Sequence, residues 1–187
     1  MGDKEIRPLI YTIGDSHALH AWCKIPGVVA ESIGPMLMYT FGGHPYPIPE
    51  KIPMGSIVVF CWGEIDCRCH VYKFPPWKET VDKLALDYIS GIRAVSKDHT
   101  PWIYNVVPPA RKDKFMESQG FPFLGTDQER LGYVLRLNKR LKESGLEFVD
   151  TYDECSDADG FLRYEMSDCH VHVEDPKPIT DWLNRRF

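Results

Sequence analysis

The chain has 187 residues, 43% of them hydrophobic and 26% charged, and a net charge of −5. That balance belongs to a globular chain long enough to form a single domain, 1–187, with a sizeable core. Lys and Arg form no block long enough to make a phosphate-binding surface, which excludes nucleic acid as the expected partner.

In chain order, Met1-Gly2 does not open a myristoylation motif, because Ile6 fills the position that needs Ser or Thr. The apolar stretch Pro8 to Ile13 is too short for a signal peptide or a membrane span, so the expected compartment is the cytoplasm, with no membrane partner. "PLIYTIG" reads as a buried strand left through Gly14, and a helix is expected to begin at Ser16. "GVVAESIG" reads as a shorter, partly exposed strand, and the proline-rich piece from Gly42 to Pro53 as a loop. "GSIVVFCWG", bounded by Gly55 and Gly63, carries the strongest strand signal. Val81, Leu84, Ala85, Tyr88, Ile92 and Val95 share one helical face that Gly91 weakens without breaking. "WIYNVVPP" is a strand stopped by two prolines, and Pro108 to Gly125 is a second loop. Thr126 and Glu129 have capping-box spacing, and Leu131, Val134, Leu137, Asn138 and Leu141 then line one side of a helix that stops at Gly145. "LEFVDTY" is the last strand, and residues 177–186 form a closing helix. Strands alternating with helices predict an α/β fold with a mostly parallel sheet covered on both faces. In such sheets ligands bind outside the carboxyl ends of the strands.

Ser16 stands at one such end. A serine there is either a helix cap or a nucleophile, and a nucleophile needs a base. His172 in "SDCHVHVED" is the candidate, with Asp168 four residues earlier to orient it. His170 competes, because on an extended segment the two histidines share a face. The sets Cys67, Cys69, His70 and Cys169, His170, His172 hold zinc-type ligands but lack the usual C-x-x-C spacing, so no metal is expected. The six cysteines are expected to be reduced. Trp62 is expected to line a cleft and Arg130 to lie on the surface.

"GDSH", "GEIDC" and "DCHVH", in that order, resemble the ordered blocks of the SGNH hydrolase superfamily, the GDSL-type esterases and lipases. "GPMLMY" and "GEIDCRCH" resemble a branch of small SGNH-like proteins linked to modified glycans. The resemblance spans nearly the whole chain. It implies a three-layer α/β/α sandwich on a five-stranded, flavodoxin-like sheet, and no cofactor. It implies Ser16 as nucleophile and first oxyanion donor, His172 as base and Asp168 as its support. The second donor would be the N–H of Gly34, with Gly42 and Gly43 as alternatives. The usual block has two residues between acid and base, whereas three separate Asp168 from His172 and one separates it from His170; the apolar flanks of "VHV" favour His172.

The usual middle block is Gly-x-Asn-Asp, and here it reads Gly63-Glu64-Ile65-Asp66, so Ile65 supplies no side-chain donor. Arg68 and then Asn105 are candidate substitutes, set against a Glu64–Arg68 ion pair that merely holds the loop. Asp15, Glu64, Asp66, Arg68 and His170 are accordingly substrate-binding or structural candidates. The implied activity is hydrolysis of short-chain acyl esters, such as O-acetyl groups on a carbohydrate, with a small-molecule or glycan ester as substrate. The same triad would serve O-acyl transfer. Ile65 favours the alternative of an inactive carbohydrate- or partner-binding module.

Overall fold

The computed structural model describes residues 9–117 and 120–187. Met1-Gly2, Ile6 and the entry proline Pro8 lie outside the described residues, as do two positions of the loop after the fourth strand. Five parallel strands, β1 (Ile10–Gly14), β2 (Val28–Ser32), β3 (Ile57–Cys61), β4 (Thr100–Tyr104) and β5 (Glu147–Val149), form one sheet in the order β2-β1-β3-β4-β5. The two central strands, β1 and β3, are buried at every position, as their unbroken apolar runs require, while the edge strand β2 is partly exposed.

Side chains alternate across the sheet. Tyr11, Ile13, Val58 and Phe60 face one core, shared with α1 (Met38–Gly43), α3 (Trp77–Val95) and α4 (Asp127–Lys142). Ile10, Ile57, Val59 and Cys61 face the other, which is closed by Trp22 and by Ile179 and Leu183 of α6 (Lys177–Arg186). The short helices α2 (Glu64–Cys69) and α5 (Tyr152–Cys155) follow β3 and β5 directly. The result is the expected three-layer sandwich. Among the described residues no helix is long and apolar enough to cross a membrane.

The structure departs from the sequence expectations at five places. The segment after Ser16 is not an α-helix but two 3-10 turns, Ser16–Ala18 and Trp22–Lys24. Its backbone is committed elsewhere: the N–H of Ala21 donates to the carbonyl of Val173 at 3.2 Å, and Thr12 Oγ1 donates to the carbonyl of Ala18 at 2.6 Å. Gly42 and Gly43 belong to α1 rather than to the loop, and a Cβ on Gly42 would come within 2.9 Å of Asp87 on α3. Asn105 lies just past β4, not within it. Trp62 is packed in the core at 3% exposure, stacked on Phe41 at 4.8 Å. Arg130 is 1% exposed; its guanidinium donates to the carbonyl of Gly125 at 3.0 Å and lies 5.0 Å from the Phe123 ring. A residue at the first turn of α4 is covered because the loop before it folds back over the helix.

The chain runs from β1 outward to β2, then returns to place β3 on the other side of β1. The order therefore reverses between β1 and β3, and the crevice of such a sheet opens at the carboxyl ends of those two strands. Gly14 brings the two ends together. A Cβ there would lie 2.1 Å from the carbonyl oxygen of Cys61, and only glycine lets the Asp15 N–H reach that oxygen at 3.2 Å.

Candidate active site

Asp15 and Ser16 follow β1 into this crevice. The cap of the first turn is Asp15, whose Oδ1 accepts from the His17 N–H at 2.9 Å. The Ser16 hydroxyl is thus not consumed by capping. It meets His172 Nε2 at 2.7 Å, across 156 residues of sequence. His172 Nδ1 lies 2.6 Å from Asp168 Oδ2. A carboxylate accepts only, so the ring proton sits on Nδ1 and leaves Nε2 as the acceptor for the serine hydroxyl.

The segment holding Asp168, His170 and His172 is a tight loop, so the shared face that an extended segment would give the two histidines does not arise. An isolated bridge joins Ser167 to Val173, and the Asp168 N–H donates to the carbonyl of His172 at 3.3 Å. Cys169 turns the chain through the left-handed region at φ 68°, so that Asp168 Oδ1 accepts from the N–H groups of His170 at 2.9 Å and His172 at 3.2 Å. This turn accommodates the three residues between Asp168 and His172. It also separates the histidines: His172 points at Ser16, while His170 Nδ1 lies 3.4 Å from the carbonyl of Met116.

The sequence matches no family profile and no curated protein. Solved structures do match. A chain from Streptococcus pneumonia, provisionally described as a platelet activating factor, superposes with TM-score 0.66 at 16% identity over 98% of this chain and 86% of its own. A GDSL-like lipase from Bacteroides thetaiotaomicron gives 0.58 at 13% identity over 94% and 83%. An acetyl xylan esterase gives 0.52 at 14% identity over 95% and 97%. The fold is that of the SGNH hydrolases.

On this SGNH fold the positions around the triad differ in character. The Gly34 N–H, the expected second oxyanion donor, already donates to Ser32 Oγ at 3.1 Å. Gly42 and Gly43, the alternatives, sit inside α1. Ile65, in the place of the usual asparagine, is 4% exposed and buried in α2. Arg68 does not replace it. Its guanidinium donates to both oxygens of Glu64, at 2.7 and 3.0 Å, and to the carbonyl of Phe121, so the ion pair that holds the loop is what forms. Asn105 is structural as well, with its Oδ1 accepting from the Thr151 N–H at 2.8 Å.

Asp66 accepts from the N–H groups of Met38 at 2.7 Å and Tyr39 at 3.1 Å, which makes it the cap of α1; burial pushes its carboxyl up to about 7 against those bonds. Asp15 and His17 form a buried pair at 2.9 Å. Burial works against the His17 cation, but Asp15 outweighs it and holds His17 above its ordinary value.

Two further histidines surround His172. His17 lies 4.8 Å from the His172 ring, tilted by 50°. His20 stacks on it at 3.8 Å and 8°. His20 Nδ1 bonds to Glu174, whose other oxygen pairs with Lys24. The only signals of this set in the sequence are the histidine pair of "SHALH" and the second acid of "SDCHVHVED". Burial first, then the charge of His17, pushes His172 down to about 4, against the pull of Asp168. Burial raises Asp168, yet its bonds from His172 bring it below the usual carboxylate range.

The cysteine sets do not gather a metal site. Cys67 and Cys69 are buried, with Cys69 Sγ 3.3 Å from the carbonyl of Pro122, while Cys169 is exposed beside Tyr164. All six cysteines are free. Among the described residues the one group with metal-ligand reach is His20, Asp168 and His172. Its two imidazoles are parallel, so their in-plane lone pairs run side by side and do not converge on a point.

Proposed function

We propose that the chain is a serine esterase of the SGNH type, acting on short-chain acyl esters. The single observation that carries this reading is the continuous Ser16–His172–Asp168 hydrogen-bond chain, with contacts of 2.7 and 2.6 Å. Ser16 Oγ attacks the ester carbonyl while its proton passes to His172 Nε2. Asp168 holds the imidazole in the accepting tautomer and stabilises the imidazolium that forms. The tetrahedral intermediate collapses, and His172 gives the proton to the leaving alcohol. Water then attacks the acyl-serine by the same route and releases the acid.

The N–H of Ser16, which opens a turn and has no acceptor within it, is the first oxyanion donor in this reading. Gly34 becomes the second when Ser32 Oγ releases its N–H. With Ile65 in the third place, one side-chain donor is missing. Such a loss costs roughly a hundred- to a thousand-fold in turnover, so a slow esterase is expected.

A short acyl group is favoured because Ser16 and His172 stand apart from the roomiest described cavity among those bordering α1 and α3. Ser16 and His172 are half-buried, and neither lines the cavity of about 440 Å³ that lies between α1 and α3 beside Leu37, Phe74 and Leu84. An acetyl group on a carbohydrate fits this description, and the acetyl xylan esterase among the similar structures agrees with it.

Ile65 and the engaged Gly34 N–H favour a second reading, a binding module that keeps the fold without turnover. Hydrolysis of a panel of acetyl and butyryl aryl esters separates the two. The esterase reading expects measurable turnover in the wild type and none above background in Ser16→Ala. Equal, background rates for both proteins favour the binding module.

A further inference from the structure

The triad is doubled by a second carboxylate–imidazole pair. Asp168 holds His172 through Nδ1, and Glu174, six residues later, holds His20 through Nδ1. Lys24 secures Glu174 twice, pairing with its carboxylate and donating to its carbonyl at 2.8 Å. His20 is the end of this anchored chain, and its ring lies flat against His172 at 3.8 Å and 8°.

We propose that His20 is a positioning residue for the base: anchored by Glu174 and Lys24, its ring face holds the His172 imidazole in the plane that aims Nε2 at Ser16. This rests on the reading of Ser16 and His172 as nucleophile and base. An imidazole pinned only at Nδ1 can swing about its Asp168 bond, and a displacement of about 1 Å at a reacting atom can cost on the order of a hundredfold. Two neighbours restrict that swing. His17 meets the ring at a tilt, with its Nε2 3.3 Å from the carbonyl of Val171, next to the base. His20 covers a face.

The titratable and charged groups around the pair are Asp15 and His17 after β1, Lys24 in the second 3-10 turn, and Asp168 and Glu174 on the C-terminal segment. The charge of His20 itself helps hold His172 below its ordinary value. Removing the ring takes away that charge and part of the burial, and both changes move the His172 titration upward.

The test compares His20→Ala and His20→Phe with the wild type. Activity on an aryl acetate is read as kcat and KM separately, folding as Tm, and His172 protonation by imidazole NMR. In His20→Ala, kcat is expected to fall roughly ten- to a hundredfold with KM and Tm nearly unchanged, and His172 to titrate at higher pH. His20→Phe restores the face and is expected to recover most of kcat. Wild-type kcat in His20→Ala, or no recovery in His20→Phe, overturns the proposal. If the wild type itself proves inactive, the esterase reading fails, and the NMR arm still decides: a His172 titration unmoved in His20→Ala overturns the positioning role.

Discussion

Ser16 shows how one residue is left available for the proposed chemistry by being relieved of a structural task. Asp15 takes the capping task, and the serine hydroxyl is left to bond His172 at 2.7 Å. The choice of His172 as the proposed base turns on Cys169, whose left-handed turn sets His170 beside Met116 and His172 beside Ser16. No spacing rule for extended segments could separate those histidines. The pH dependence follows from what surrounds His172. A general base works only when neutral, and burial together with His17 pushes this one down to about 4. Activity on a non-ionising ester should therefore hold level from pH 7 down to about 5 and fall through a midpoint near 4. An acid limb centred at or above the ordinary histidine value of about 6.5 would contradict this account.

At the scale of elements, the strands were legible because β1 and β3 are fully buried and so read as unbroken apolar runs. The capping box opening α4 was equally plain, with Thr126 and Glu129 bonded as their spacing requires. The turns after Ser16 were not legible. "SHALHAW" has helical composition, but the carbonyl of Val173, at the far end of the chain, claims the Ala21 N–H, and local pattern carries no trace of that contact. The middle block was half legible: an ion pair of Glu64 and Arg68 was one of two expectations for α2, and its burial to 6% and 5% decides for structure. Removing one member leaves a buried charge. Arg68→Met is expected to lower unfolding free energy by about 3–5 kcal/mol in urea titrations, and the double change Glu64→Leu/Arg68→Met to recover much of that loss. A single variant as stable as the wild type would return Arg68 to the list of candidate oxyanion donors.

Across the whole molecule, the site exists because two distant stretches lie side by side. Residues 15–24 leave β1 at the point where strand order reverses, and residues 168–174 close over them through the Ala21–Val173 bond, the His17–Val171 contact and the Lys24–Glu174 pair. The SGNH fold supplies the crevice, and this C-terminal strap supplies Asp168, Glu174 and the proposed base His172. The central claim is that the strap delivers His172, and not His170, to an activated Ser16. Labelling with a fluorophosphonate, followed by peptide mapping, tests it most directly. The account predicts a covalent adduct on Ser16 that persists in His170→Ala and falls on the order of a thousandfold or more in rate in His172→Ala. An adduct on another residue, or equal labelling rates in His172→Ala and the wild type, would contradict it.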